Sequence, residues 1–100
     1  MEQSDELRAR ILVGEDDEVL RELIALQLRH HGYEVLEAAT GAEGRRIAER
    51  RQPDLVLLDV NLPDTHGWEV CRELKADPAT RAIPIVILTG LDSSKDRWQG

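Results

Sequence analysis

Four short runs of strand-forming residues alternate along this chain with segments whose apolar residues recur at helical spacing. The runs cover Ile11–Val13, Tyr33–Ala38, Leu55–Leu58 and Ile83–Leu88. Each run is too short for a typical helix, and the last two are apolar almost throughout, as in strands covered on both faces. Strands that alternate with helices indicate right-handed βαβ crossovers, and therefore a parallel sheet in an α/β fold.

The segments between these runs predict amphipathic helices. They span about Glu18–His31, Thr40–Arg51 and Trp68–Ala76, and a fourth helix begins near Asp92 or Ser93. Asp17 is expected to cap the first helix, and Thr40 and Glu43 have the spacing of a capping box at the start of the second. The residues expected to face the core are Leu20, Leu23, Ile24 and Leu28 in the first helix and Val70, Cys71 and Leu74 in the third, with Trp68 partly buried.

Length and charge narrow the possible classes of protein. One hundred residues allow a single domain, which we place at residues 10–100 after a polar lead-in over residues 1–9. The net charge of -7 argues against direct binding to nucleic acid or to an anionic membrane. The single cysteine excludes an internal disulfide, and no apolar run approaches the ~18 residues of a membrane span. We therefore expect a cytoplasmic protein.

Acidic and hydroxyl side chains stand where three of the predicted strands end. Glu15 and Asp16 follow the first strand, Asp59 closes the third, and Thr89 follows the fourth. Because parallel strands end at the same edge of a sheet, folding is expected to bring these residues together. Three carboxylates in one small space repel each other, and a bound cation is what keeps them ionised together.

The residue types indicate which cation and which chemistry this edge favours. Carboxylate oxygens are hard ligands that suit Mg²⁺ or Mn²⁺, and no His or Cys shares these strand ends as a zinc site would require. A cation beside a carboxylate and a hydroxyl is suited to phosphoryl transfer. The carboxylate attacks phosphorus while the hydroxyl donates to a phosphoryl oxygen.

Three segments, taken in order, resemble the receiver domain of two-component response regulators. They are Ile11–Glu18 (ILVGEDDE), Leu57–Gly67 (LLDVNLPDTHG) and Ile83–Gly90 (IPIVILTG). The resemblance extends from about Arg10 to the last residue. It implies a flavodoxin-like, doubly wound parallel sheet with strand order 2-1-3-4, and a histidine kinase or phosphotransfer protein as the phosphoryl donor.

The resemblance also implies a role for each matching residue. Asp59 is the phosphoacceptor, and Thr89 is the hydroxyl residue that turns toward the phosphoryl group. Asp16 is the direct metal ligand of the acidic pair, and Glu15 supports it through water. The expected metal set is Glu15, Asp16, Asp59 and the backbone carbonyl of Asn61. Such a chain is a phosphotransfer acceptor with at most weak autodephosphorylation, and not a conventional enzyme.

The family's fifth strand, which ends in a phosphate-pairing lysine, and its fifth helix have no counterpart among these residues. Lys95 follows Thr89 by six positions and so lies too early to take that place. We therefore expect a receiver domain that is incomplete at its C-terminus, whether as a fragment, through an introduced stop, or as a naturally short form. Its first and third strands would be bare on one face and its fourth strand an open edge, which favours a homodimer through that face or edge.

Two other functions remain open from the sequence. A pseudo-receiver would keep the fold as a protein-binding module that acts without phosphorylation. A phosphohydrolase of the haloacid-dehalogenase type would also use an aspartate nucleophile after a strand, but it needs a second Asp two residues later as general acid. That position holds Asn61, which cannot act as an acid.

Overall fold

The computed structural model describes residues 8–88, which form four strands and three helices in strict alternation. The elements are β1 (Arg10–Gly14), α1 (Glu18–His30), β2 (Glu34–Ala38), α2 (Gly41–Arg51), β3 (Leu55–Asp59), α3 (Gly67–Ala76) and β4 (Ile85–Leu88). All strand pairs are parallel, and the order across the sheet is β2-β1-β3-β4. This confirms the predicted flavodoxin-like α/β fold and its strand order.

The two faces of the sheet carry separate apolar cores, as expected when successive crossovers cover opposite faces. Alternation along β1 divides its side chains, with Leu12 on one face and Ile11 and Val13 on the other. On the first face the buried residues include those of α2 and α3: Leu12, Ala38, Ala48, Val56, Leu58, Leu62, Val70, Leu74 and Ile83. On the second face the buried residues, which include one from α1, are Ile11, Val13, Ala25 and Val35.

The helix ends follow their local sequence signals. Asp17 caps α1 as predicted, because its Oδ1 accepts from the backbone N–H groups of Val19 (3.0 Å) and Leu20 (3.1 Å). Thr40 Oγ1 caps α2 by accepting from the N–H of Glu43 (3.0 Å). The second half of the expected capping box is displaced by one residue, since Glu43 Oε1 accepts from the N–H of Ala39 (3.0 Å) and not from that of Thr40.

Two residues that were predicted to be at least partly buried are exposed, and four that were predicted to face the core are only partly buried: Leu20, Ile24, Leu28 and Cys71. Leu23 of α1 is 54% exposed and Trp68 of α3 is 58% exposed, so both predictions of burial are wrong. The residue of α1 that is fully buried is Ala25. A small side chain lets a helix lie close to the sheet, so the contact stripe of α1 is centred on alanine, and Leu23 lies to one side of it.

The prediction of an uncovered apolar patch on the sheet is also wrong for β1, where Ile11 and Val13 are 5% and 0% exposed. On the same face Leu55 and Leu57 of β3 are only partly buried, and Val86 of β4 is 45% exposed. Among the described residues β4 pairs with β3 only. The homodimer proposed from the sequence stays a prediction, and the predicted fourth helix near Asp92 lies outside the described residues.

Candidate functional site

Three carboxylates meet at the carboxyl edge of the sheet. In the parallel register of β1 and β3, Gly14 stands opposite Leu58, so the next residues, Glu15 and Asp59, leave neighbouring strands side by side. Asp16 follows at the same edge. One carboxylate oxygen from each of Glu15, Asp16 and Asp59 lies within 4.8 Å of the other two. The structure therefore brings together the three acids that the sequence predicted to meet.

Burial makes the three acids unequal. Glu15 is 2% exposed and Asp59 is 4% exposed, whereas Asp16 is exposed. The cluster therefore has two buried acids and one acid at the surface. Leu58, the residue before Asp59, is packed against Gly14, where an added Cβ would lie 2.7 Å from Leu58 Cδ1. The two following carboxylates lie close together because β1 and β3 are paired in register, and paired strands are about 4.8 Å apart.

Glu15 is the carboxylate of the cluster that is buried with an incomplete set of hydrogen bonds. Its Oε2 accepts from the backbone N–H of Asp17 (3.0 Å), but its Oε1 is buried and has no hydrogen-bond partner among the described residues. Burial raises the pKa of Glu15 to about 7, and the nearby charges of Asp59 and Asp16 add to the rise, while the bond from Asp17 opposes it. At neutral pH this side chain costs folding energy unless a cation offsets its charge.

The donor set fits a hard divalent cation. A buried carboxylate oxygen without a partner and three carboxylates with converging oxygens are the arrangement that Mg²⁺ or Mn²⁺ stabilises, whereas this cluster contains no imidazole or thiolate that would favour zinc. The residues present therefore fit the metal that the sequence predicted.

Asn61 lies in a tightly closed loop just after Asp59. It forms an isolated bridge with His66, and the N–H of Leu62 donates to the carbonyl of Thr65 (3.2 Å). The N–H of Gly67 donates to the carbonyl of Val60 (2.8 Å), which closes the base of the loop. A Cβ on Gly67 would collide with the carbonyl oxygen of Asp59, so only glycine permits the chain to return this close to Asp59.

Asp64 is a residue of this loop that the sequence analysis did not single out. Its Oδ1 accepts from the backbone N–H of Gly41 (2.7 Å) and its Oδ2 from that of Ala42 (3.0 Å). These two bonds lower the pKa of Asp64. An Asp after a Pro signals only a turn in sequence. Its contact with a helix more than twenty residues earlier has no local signature.

Thr89, the predicted switch hydroxyl, lies outside the described residues. What the structure describes is the strand that leads to it. Leu88 ends β4 and is paired in register with Asp59 at the end of β3.

A stripe of exposed apolar residues runs along α1, which begins beside the acidic cluster. Val19, Leu23 and Leu26 are 69%, 54% and 64% exposed. Their spacing places them on one side of the helix. They form part of a shallow depression of about 310 Å³ lined by Val19, Glu22, Leu23, Leu26, Arg29 and Glu37. Glu37 of β2 ion-pairs with Arg29 of α1 (3.1 Å) at its border.

Comparison with known proteins places these features in a family. Residues 11–100 match the sequence model of the response regulator receiver domain. The chain is 40% identical over 91 residues to the DNA-binding dual master transcriptional regulator RpaA of Synechocystis, covering 91% of this chain and 38% of the relative. It is 46% identical over 94 residues to response regulator PleD of Caulobacter vibrioides, covering 94% of this chain and 21% of the relative. The chain thus spans less than half the length of these relatives.

Solved structures show the same likeness. One is the receiver domain of a sensor histidine kinase from Pseudomonas aeruginosa, with a magnesium ion coordinated in its active-site cleft. It is 34% identical, with a TM-score of 0.78, and the match covers 89% of this chain and 75% of that one. Within residues 8–88 of the present chain, no helix is long and apolar enough to cross a membrane.

Proposed function

This chain belongs to the response regulator receiver domain family, and we propose that it accepts a phosphoryl group on the Asp59 carboxylate in two-component signalling. The observation that carries this proposal is the position of Asp59, which is 4% exposed and lies at the end of β3 beside Glu15 and Asp16. Neither the structural role of a turn nor that of a helix cap accounts for three clustered carboxylates, two of them buried.

The reaction follows from the chemistry of a carboxylate beside a cation site. An Asp59 carboxylate oxygen attacks the phosphorus of a phosphohistidine, the new O–P bond forms as the N–P bond breaks, and the imidazole nitrogen leaves with the bonding electron pair. Glu15, Asp16, Asp59 and the carbonyl of Asn61 would hold Mg²⁺. When bound there, Mg²⁺ supplies positive charge to the phosphoryl oxygens and to the crowded carboxylates.

The chain's own residues then determine which groups approach. Because Glu15 and Asp59 are buried, a phosphoryl group can reach the Asp59 carboxylate only from the exposed side, where Asp16 lies. We assign Thr89 the role of donating its hydroxyl to the acylated phosphoryl group, as the family pattern implies. The chain acts as a phosphotransfer acceptor with weak autodephosphorylation and is not a turnover enzyme.

The phosphoryl donor is a protein, a histidine kinase or a phosphotransfer protein, and the exposed stripe of α1 supports this assignment. Val19 is three residues after Asp16, so a partner that brings phosphohistidine to Asp59 passes over the first turn of α1. Exposed apolar residues at helical spacing, bordered by Glu22 and Arg29, suit contact with an amphipathic helix. We place this exchange in the cytoplasm, where a single free cysteine, Cys71, stays reduced.

Phosphorylation by acetyl phosphate with Mg²⁺, followed by mass spectrometry, tests the proposal. The wild-type chain should gain one phosphoryl group, and Asp59→Asn should gain none. Asp54→Asn is the matched control, because Asp54 precedes the same strand at the opposite edge of the sheet and accepts a hydrogen bond from the N–H of Arg10 (2.8 Å). Labelling of Asp59→Asn at the wild-type level would refute Asp59 as the acceptor. No labelling of the wild type would favour the pseudo-receiver.

A further inference from the structure

The N-terminus of α2 is capped from two separate parts of the chain. The first backbone N–H groups of a helix lack intrahelical partners. In α2, Thr40 Oγ1 accepts from Glu43 (3.0 Å) and thus satisfies one of them locally. The N–H groups of Gly41 and Ala42 instead donate to the two carboxylate oxygens of Asp64, at 2.7 and 3.0 Å. One carboxylate therefore binds the helix end with two charge-assisted hydrogen bonds.

Asp64 is part of the same closed loop as Asn61. The antiparallel bridge between Asn61 and His66 consists of two hydrogen bonds, from Leu62 to Thr65 and from Gly67 to Val60, which close the loop. Asp64 and the backbone of Asn61 therefore lie in one hydrogen-bonded loop. Because the loop also closes on Val60 through Gly67, its position is set at one end by β3. At its far end it is held against α2 by Asp64.

The close approach of loop and helix depends on Gly41. A Cβ at this position would collide with Thr65 Cγ2, and it would lie 3.0 Å from Val70 Cγ2 and 3.3 Å from Asp64 Oδ1. Gly41 thus leaves the space into which the loop fits. The two N–H donors lower the pKa of Asp64, because they stabilise its carboxylate form through the contact with the start of α2.

We propose that Asp64 is a positioning residue for the phosphoacceptor site. By joining the Asn61 loop to the start of α2, it would hold the backbone carbonyl of Asn61 in place to bind Mg²⁺, while its own carboxylate oxygens accept from Gly41 and Ala42. This inference rests on the proposed function, since it assigns Asp64 a part in that same reaction.

A plain helix cap is the alternative role, and the chain offers a matched control for it. Thr40 caps the same end of α2 but is not part of the loop. Thr40→Ala weakens the helix end and leaves the contact with Asp64 in place. Asp64→Ala weakens the helix end and releases the loop. Asp64→Asn keeps one acceptor oxygen and so should retain part of the contact.

The test compares these three variants with wild type in two measurements. Amide hydrogen exchange without metal should show faster exchange at Leu62 and Gly67 in Asp64→Ala, whereas Thr40→Ala should accelerate exchange only near Glu43. Titration with Mg²⁺ should show roughly tenfold weaker affinity in Asp64→Ala. Asp64→Asn should give an intermediate value, and Thr40→Ala should match wild type.

The positioning role would be overturned if Asp64→Ala and Thr40→Ala showed the same exchange rates at Leu62 and Gly67. It would also be overturned if both variants lost the same Mg²⁺ affinity. Asp64→Asn keeps the test decisive if Asp64→Ala fails to fold. Failure of the proposed function would look different. In that case the wild type itself would not be phosphorylated on Asp59, whatever the exchange rates in the loop.

Discussion

Replacing Glu15 with glutamine should stabilise the metal-free protein while weakening its metal site. Glu15 is 2% exposed, its Oε1 has no hydrogen-bond partner among the described residues, and its pKa rises from the ordinary 4.5 to about 7. Glutamine has nearly the same shape. Its carbonyl oxygen can still accept from the N–H of Asp17, and its amide group can donate to the carboxylates of Asp16 or Asp59. The substitution thus removes an unfavourable charge without opening a cavity.

The sign and size of the effect follow from the raised pKa. Between pH 4.5 and about 7 the folded state keeps a proton on Glu15 that the unfolded state releases, so the free energy of unfolding falls as pH rises. The cost is absent below the unfolded value and complete above the folded one. A pKa rise of this size corresponds to about 3 kcal/mol in the free energy of unfolding. Glutamine should recover up to that amount at about pH 8, about 1 kcal/mol at about pH 5, and almost none below about pH 4.

Urea denaturation followed by circular dichroism, in EDTA and across this pH range, measures the effect. The difference between Glu15→Gln and wild type isolates Glu15 from the other titrating groups. Glu49→Gln on the exposed surface of α2 is the control for the same chemical change at a side chain that is not buried. A stability gain that does not grow with pH, or a variant less stable than wild type at about pH 8, would refute the reasoning.

Two further substitutions test the loop and the α1 stripe. Gly67→Ala should cost about 1–3 kcal/mol and weaken Mg²⁺ binding, because the added methyl group collides with the carbonyl of Asp59. Gly32→Ala is the control, because φ is +94° at this position but no heavy atom lies within 4 Å of an added Cβ. It should cost about 1–2 kcal/mol and leave Mg²⁺ affinity unchanged. An equal loss of Mg²⁺ affinity in Gly67→Ala and Gly32→Ala would contradict this prediction. Leu23→Ser should change stability by less than about 0.5 kcal/mol and slow phosphotransfer from a donor protein but not from acetyl phosphate. Equal slowing with both donors would exclude the stripe as a docking surface.

Local signals predicted the elements and their caps well. The four strand-like runs became the four strands, and Asp17 and Thr40 cap α1 and α2 as expected. These features depend on residues a few positions apart, so the information lies in the sequence itself. The acidic cluster was also predictable, because all strands of a parallel sheet end at one edge.

Burial was predicted less well, because it depends on how closely layers pack. Apolar spacing assigned Leu23 to the core of α1, but the helix lies on the sheet through Ala25. Spacing along a helix identifies an apolar side but not which part of it meets the sheet. Trp68 was expected to be partly buried, and it is exposed because α3 directs Val70 and Leu74 inward instead.

The sequence alone determined the order of the elements and the kinds of group at the strand ends, since periodicity and turn signals act over a few residues. Tertiary structure alone decided that Glu15 is buried with an unpartnered oxygen and that Asp64 reaches the start of α2. Loss of solvent around a carboxylate depends on everything packed around it. A hydrogen bond across more than twenty residues depends on where the fold places both ends. The sequence thus identifies the residues of the metal site. The packing of the fold determines the free-energy cost of burying Glu15 and the position of the Asn61 loop.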